Sequence, residues 1–301
     1  MDPQIRALLD RVPGWQAHEC SVSVLKGGIT NSNYKVLRRA EAFVLRVGGE
    51  GTSILGIDRH RELRASRAAA TCGVGAEVVA FLEPEGVLVT HFIEGSAITT
   101  ASAAQPETLR RVAHSIRLYH SGAAVAGEFW APEVVRNYHA LARDRGVAFP
   151  DSLPQVLALV AEMERGLGRP QQPVPCHNDL LASNLIDDGR TIRILDWEYA
   201  GMGDAFFDLG NFAVNQRLEA AGRETLLAAY LGRVHDADRA HLELMRLLSD
   251  LREAFWGFLQ SGVSRLEFDF RGYALEHFER FEKNAASPEV GEWIEAVRRK
   301  K

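Results

Sequence analysis

An α+β architecture in two lobes is expected: a β-rich N-terminal lobe over residues 1–94 and an α-rich C-terminal lobe over residues 95–301. Three observations lead there. Short apolar–polar alternations parted by turn residues crowd the first ninety positions. Beyond Pro106 the texture changes to long helix-forming stretches. Between them, Phe92-Ile93-Glu94-Gly95 leaves the last strand and has the look of a hinge. With 46% apolar and 25% charged residues the chain has an ordinary globular balance and can bury a substantial core.

In the first lobe, Cys20 to Lys26 alternates as a half-buried strand does, and Gly27-Gly28 breaks it. Tyr34 to Arg39 and Ala42 to Val47 are two further strands. Residues Ile57 to Thr71, rich in Arg, Glu, Ala and Leu and free of Gly and Pro, read as a helix that Gly73 stops. Glu77 to Leu82 and Gly86 to His91 form a hairpin around Glu83-Pro84-Glu85-Gly86. In the second lobe, Pro106 opens a helix ending near His120, Pro being favoured in a first turn. Helices are also expected over Pro132–Arg145, Pro154–Gly166, Asp238–Gln260 and Phe270–Ala285. Asn184–Ile186 and Ile192–Leu195 flank Asp187-Asp188-Gly189-Arg190, and Asp-Gly between apolar runs signals a hairpin.

The chain has 35 Lys and Arg against 40 Asp and Glu, a formal net charge of -5. That argues against a nucleic-acid partner, whose footprint is basic, and against a polybasic membrane contact. Cys20, Cys72 and Cys176 are far apart and lack CxxC spacing, which suits a reduced cytoplasm. The N-terminus lacks a signal-peptide pattern, and there is no apolar run of the ~18 residues that a membrane span needs. The ten histidines show no HxxxH or HExxH spacing, so surface, capping and core roles are expected of them.

The chemistry concentrates in His177-Asn178-Asp179-Leu180-Leu181-Ala182-Ser183-Asn184, followed twelve residues later by Asp196-Trp197-Glu198. A carboxylate, an amide five residues on and a second carboxylate after a hairpin form the layout a phosphotransferase needs. Hard oxygen ligands suit a metal held between phosphates, and a loop carboxylate can orient a hydroxyl and take its proton. Protein kinases carry H-R-D with a following Asn, then D-F-G. Here H-N-D keeps the same Asp-to-Asn spacing and D-W-E stands in the second place. His177 is expected to brace the loop rather than carry a proton. Each piece alone is common; the joint pattern on a loop and a hairpin is not.

The small lobe is expected to contact the nucleotide. Gly27-Gly28-Ile29-Thr30-Asn31-Ser32-Asn33 lies between two strands: its glycines let backbone approach phosphate, and its Thr, Asn and Ser offer short donors. Strand Phe43-Val44-Leu45-Arg46-Val47 puts Arg46 where protein kinases carry a phosphate-pairing lysine. Glu62 on the next helix is its natural partner, with Arg59 a competitor for that carboxylate.

On these motifs the chain resembles the choline/ethanolamine kinases within the aminoglycoside-phosphotransferase-like kinases, over most of its length. The match includes Gly27 to Tyr34, the Arg46 strand, Ile57-Asp58-Arg59-His60-Arg61-Glu62, Phe92 to Gly95, His177 to Asn184, Asp196 to Ala200 and Phe207-Asp208-Leu209-Gly210-Asn211. The resemblance implies a protein-kinase-like fold, ATP as donor and Mg2+ as cofactor. By it, Asp179 is the base, Asn184 and Asp196 hold magnesium, and the turn of Gly27, Gly28, Thr30, Asn31 and Ser32 covers the phosphates that Arg46 contacts. Asp208 would brace the catalytic loop.

The acceptor expected is a small cationic alcohol, choline or ethanolamine, with thiamine or an aminoglycoside as the alternative and a nucleotide-binding pseudokinase as a third. A quaternary ammonium is held best by aromatic faces with carboxylates. The family's late Trp-Gly-x-Trp helix here reads Trp256-Gly257-Phe258-Leu259, so the second tryptophan is replaced. Glu198, Tyr199 and Trp256 are the acceptor-site candidates, with Phe207 a further one. The oligomeric state stays open, a homodimer included. From His177 to Asn211 there are seven acids and two bases, an excess of five that equals the excess of the whole chain. The acidity therefore gathers around a proposed metal and cation site.

Overall fold

The structure, a computed structural model, describes residues 1–25, 31–49 and 52–300. It opens with a helix the sequence reading left out, α1 (Pro3–Asp10). Asp2 caps it by accepting from the Gln4 N–H at 2.7 Å, and Pro3 fits the first turn. Its buried face of Ile5, Leu8 and Leu9 covers one side of an antiparallel sheet. The sheet comprises β1 (Cys20–Leu25), β2 (Asn31–Arg38), β3 (Glu41–Gly48), β4 (Val78–Leu82) and β5 (Val87–His91), in the order β1-β2-β3-β5-β4. Between β3 and β4 runs α2 (Arg59–Thr71), capped by Asp58, whose carboxylate accepts from His60 and Arg61 N–H groups.

Strand alternation sets up the site. Phe43 and Leu45 of β3 point into the core beneath α1, so Arg46 points to the other face. β2 starts at Asn31, three residues before the expected Tyr34, because Asn31 still pairs with Gly48. Its polar residues had hidden the strand period.

Phe92 donates to the Ala42 carbonyl and ends the large sheet's reach. β6 (Ser96–Ala97) then joins a second sheet. Gly95 is obligatory at the crossing, since a Cβ there would lie 2.5 Å from the Asp187 carbonyl oxygen. Helices α3 (Thr100–Ala103), α4 (Pro106–His120), α5 (Ala131–Arg143) and α6 (Leu153–Leu167) follow. Next come four strands of three residues: β7 (Val174–Cys176), β8 (Leu185–Asp187), β9 (Ile192–Ile194) and β10 (Gly201–Gly203). β8 pairs with β6 and β9, and β7 with β10. The chain closes with α7 (Ala205–Asn215), α8 (Ala220–Leu231), α9 (Asp236–Val263), α10 (Phe270–Ala285) and α11 (Glu289–Arg299).

The 28-residue α9, ~42 Å long at 1.5 Å per residue, is the spine of the helical lobe. It is buried on every side over much of its length, packing against α5, α7, α10 and α11. Gly257 lets α10 approach closely: a Cβ there would sit 3.0 Å from Ala274, Phe270 and Tyr273. That approach brings Tyr273 beside Trp256. No helix among the described residues is long and apolar enough to cross a membrane.

Candidate active site

β7 delivers the chain into the loop that carries Asp179. The loop is tied down by α7. Asp208, fully buried, accepts from the backbone N–H of His177 at 2.8 Å and of Asn178 at 2.7 Å, and meets His120 Nε2 at 3.0 Å. Burial by itself would raise the Asp208 pKa, but these partners, His120 foremost, hold it below the usual carboxylate range. Asn211, one turn on, accepts from the Leu180 N–H and donates to Ser249 at 2.9 Å. Asn178 adopts φ 68°, a left-handed conformation that Asn tolerates, and donates to the Tyr199 carbonyl at 3.0 Å.

Both ring nitrogens of His177 are occupied within this frame. Nδ1 accepts from the Asp179 N–H at 3.1 Å, so Nε2 is the donor to the Leu195 carbonyl at 2.8 Å. Burial pushes its pKa down and keeps it neutral. Asn184 donates through Nδ2 to the Asp179 carbonyl at 2.9 Å. This fixes both which way its amide is turned and the spacing between Asp179 and Asn184.

The β8–β9 hairpin then presents Asp196, also left-handed at φ 67°, and Glu198. A charge network crosses to them from the N-terminal lobe. Arg46 pairs through Nη2 with Asp196 and with Glu198 at 3.2 Å, and through Nε with Glu62 at 3.0 Å. Arg59 is a true sharer of that carboxylate, 2.7 Å from Glu62 and 3.1 Å from Glu198, and it donates to Asn31 Oδ1 at 3.0 Å. Asn31 in turn donates to Glu198 at 3.0 Å. Three carboxylates around it push the Arg46 pKa up in spite of burial.

Asp179, Asn184, Asp196, Glu198, Tyr199 and Trp256 line one cavity of about 180 Å³. Trp256 donates to the Tyr199 hydroxyl at 3.0 Å and packs edge-on against Phe270 and Tyr273. It is thus both core and cavity wall. Phe207 packs on Phe129 and does not line this cavity, and Leu259 is fully buried. Burial pushes the Asp179 carboxyl up to about 8; Arg252 opposes this, while the charges of Glu253, Asp196 and Glu198 add to it.

Arg252, Glu253 and Tyr273 also line this cavity, and sequence reasoning missed them. Arg252 donates to Asp179 at 3.2 Å and to Glu253, and Tyr273 donates to Glu253 at 2.8 Å. Nothing local marks them: α9 also carries Asp238, Arg239, Glu243, Arg246 and Asp250, so one more charged pair reads as solvent face. Of the expected nucleotide contacts, Gly27, Gly28 and Thr30 lie outside the described residues. Asn31 and Ser32 turn to opposite faces of β2, Asn31 buried in the charge network and Ser32 exposed. Asn184 and Asp196 fit a hard divalent cation: with Nδ2 committed to the loop, Asn184 has its amide oxygen left to offer beside a carboxylate.

A sequence model of the phosphotransferase enzyme family matches residues 21–290. Mouse ethanolamine kinase 2 is 26% identical, the alignment covering 93% of this chain and 80% of that protein. The solved structure of a choline/ethanolamine kinase family protein from Mesorhizobium loti is 29% identical and superposes with a TM-score of 0.86 over 98% of each chain. That of the choline kinase LicA from Streptococcus pneumoniae, 22% identical, superposes with a TM-score of 0.79 over 94% of this chain and 98% of its own. The β-rich and helical lobes therefore form the bilobal kinase-like fold expected from the sequence.

Proposed function

The chain belongs to the phosphotransferase enzyme family, and we propose that this small-molecule kinase moves the γ-phosphate of ATP to the hydroxyl of a small amino alcohol, choline or ethanolamine. The observation that carries the reading is the gathering of Asp179, Asn184, Asp196, Glu198, Tyr199 and Trp256 around one cavity. Asp179 orients the acceptor hydroxyl and takes its proton as transfer proceeds. Asn184 and Asp196 hold magnesium, which when bound offsets phosphate charge. Arg46, kept in place by Glu62, adds a fixed positive charge on the donor side. Glu198 and Tyr199 close the acceptor side with Trp256. Little covalent chemistry is asked of the protein, so positioning and electrostatics carry the rate. Asp208 and His177 act by keeping the loop rigid. The place of action in this proposal is the cytoplasm.

The test is a coupled ADP-release assay with Mg2+ and ATP and choline, ethanolamine, thiamine and a set of aminoglycosides as acceptors. Release with an amino alcohol is expected. Release only with thiamine or an aminoglycoside would move the assignment to that acceptor class. ATP binding without release in any arm would leave a nucleotide-binding pseudokinase.

A further inference from the structure

The acceptor cavity already contains a cation. Arg252 lies on α9, one helical turn before Trp256, and its side chain is almost wholly buried. Its guanidinium carbon stands 4.3 Å from the centre of the Tyr199 ring, at cation–π distance. The same group donates to Asp179 at 3.2 Å and to Glu253, so it touches the acceptor's aromatic wall and the proposed base at once.

We propose that Arg252 sets the acceptor specificity of this site, occupying from within the protein the position on Tyr199 that a quaternary ammonium would take, so that the acceptor is a primary-ammonium alcohol and not a trimethylated one. The inference rests on the amino-alcohol reading above and narrows it.

Two physical arguments carry it. A quaternary head has no N–H and is held by aromatic faces. Here the Tyr199 face is stacked by Arg252, and Trp256 is engaged edge-on with Phe270 and Tyr273, its N–H bonded to Tyr199. A primary ammonium has three N–H donors and needs carboxylates instead. Asp179 and Glu253 both place carboxyl oxygens in the cavity, and the one cation that touches them among the described residues is Arg252. The remaining acids of the cavity wall, Asp196 and Glu198, are paired with Arg46.

An anionic acceptor is the competing idea, because Arg252 Nε and Nη2 make no hydrogen bond among the described residues. Both atoms are sealed from solvent, and four carboxylates line the cavity, so an anion would meet repulsion before it met a donor.

The test is a methylation series of acceptors: ethanolamine, N-methylethanolamine, N,N-dimethylethanolamine and choline, with 3-hydroxypropionate as an anionic arm. The wild-type protein should lose kcat/KM with each added methyl, at least ten-fold from ethanolamine to choline, and should ignore the hydroxy acid. R252A should flatten that series by raising the choline arm relative to ethanolamine. If R252A does not fold, R252A/E253Q removes both charges of the pair and should flatten it likewise. Equal use of choline and ethanolamine by the wild-type protein, a series that stays equally steep in the folded variant, or a preference for the hydroxy acid would each overturn the role of Arg252. Transfer to none of the amines would overturn the amino-alcohol reading itself, and this inference with it.

Discussion

Arg46 on β3 is ion-paired with Asp196 on the far side of the cleft, 150 positions later in the chain, while its Nε stays 3.0 Å from Glu62. One planar cation with a carboxylate against each of two edges thereby ties a strand, a helix and the proposed metal-binding hairpin together. Lysine offers a single nitrogen and cannot reproduce that. Arg46→Lys should therefore raise the KM for ATP and lower kcat, with kcat/KM for ATP down about ten-fold or more, equivalent to roughly 1.4 kcal/mol. Steady-state kinetics with ATP varied at saturating acceptor checks this. An unchanged KM for ATP would detach Arg46 from the donor site.

Asp179 and Asp208 sit close together in the fold and should fail in different ways. Asp179→Ala and Asp196→Ala should leave a folded protein whose transfer is reduced by roughly 10²–10⁴-fold, the usual worth of a positioned acid or base. Asp208→Ala strands two backbone N–H groups and His120 in the interior. At about 1–3 kcal/mol for each buried donor left unpaired, it should lower the melting temperature markedly as well as the rate. Thermal melts beside initial rates separate the two outcomes. Normal turnover in Asp179→Ala would remove the base assignment.

Trp256→Ala should act on the acceptor. Trp256 walls the cavity and bonds the Tyr199 hydroxyl; losing that bond is worth about 0.5–1.5 kcal/mol, so the acceptor KM should rise by roughly 2–10-fold while the KM for ATP changes little. Equal increases in both would mean that Trp256 matters only for packing.

The Asp179 carboxyl, pushed up to about 8 by burial, also predicts a pH effect on stability. In the unfolded chain it ionises near its ordinary value of about 3.9. Between those values the folded, metal-free protein keeps a proton that the unfolded chain has lost. Stability is therefore drained as pH rises from ~4 to ~8 and levels off above. Asp179→Asn removes this cost. Its melting temperature relative to wild type should rise between pH 5 and pH 8, by roughly 2–4 °C for each kcal/mol involved. A difference that is flat across this range would show that the carboxyl ionises normally in the folded state.

Much of this was readable in advance because its signals were local. Helices starting at Pro106 and Phe270 kept their periods and caps, and the expected ends at His120 and Ala285 match α4 and α10. The spacing of Asp179, Asn184 and Asp196 survived because one loop and one hairpin carry it. α1 was missed although Asp2, Pro3 and the Ile5–Leu8–Leu9 face announce it; its short length hid the period. β7 and β10 are three residues each and hold Pro175, Gly201 and Gly203, too little for any alternation to show. Arg252 and Glu253 were unreadable for another reason. Charges on a helix ordinarily mark its solvent face, and only the packing of α9 on all sides turns that face inward.

Gly95 has a practical consequence for protein engineering. Phe92 still bonds to the sheet of the N-terminal lobe, whereas Ser96 already pairs with Asp187 in β8, the first strand of the hairpin that leads to Asp196. A chimaera that grafts the N-terminal lobe of a relative onto this chain has only the four peptide bonds between those residues at which to splice. A junction before Gly95 keeps β6 with its own partner. One placed after it would bring in the donor's residue at this position, where the fit against the Asp187 carbonyl depends on having no side chain at all.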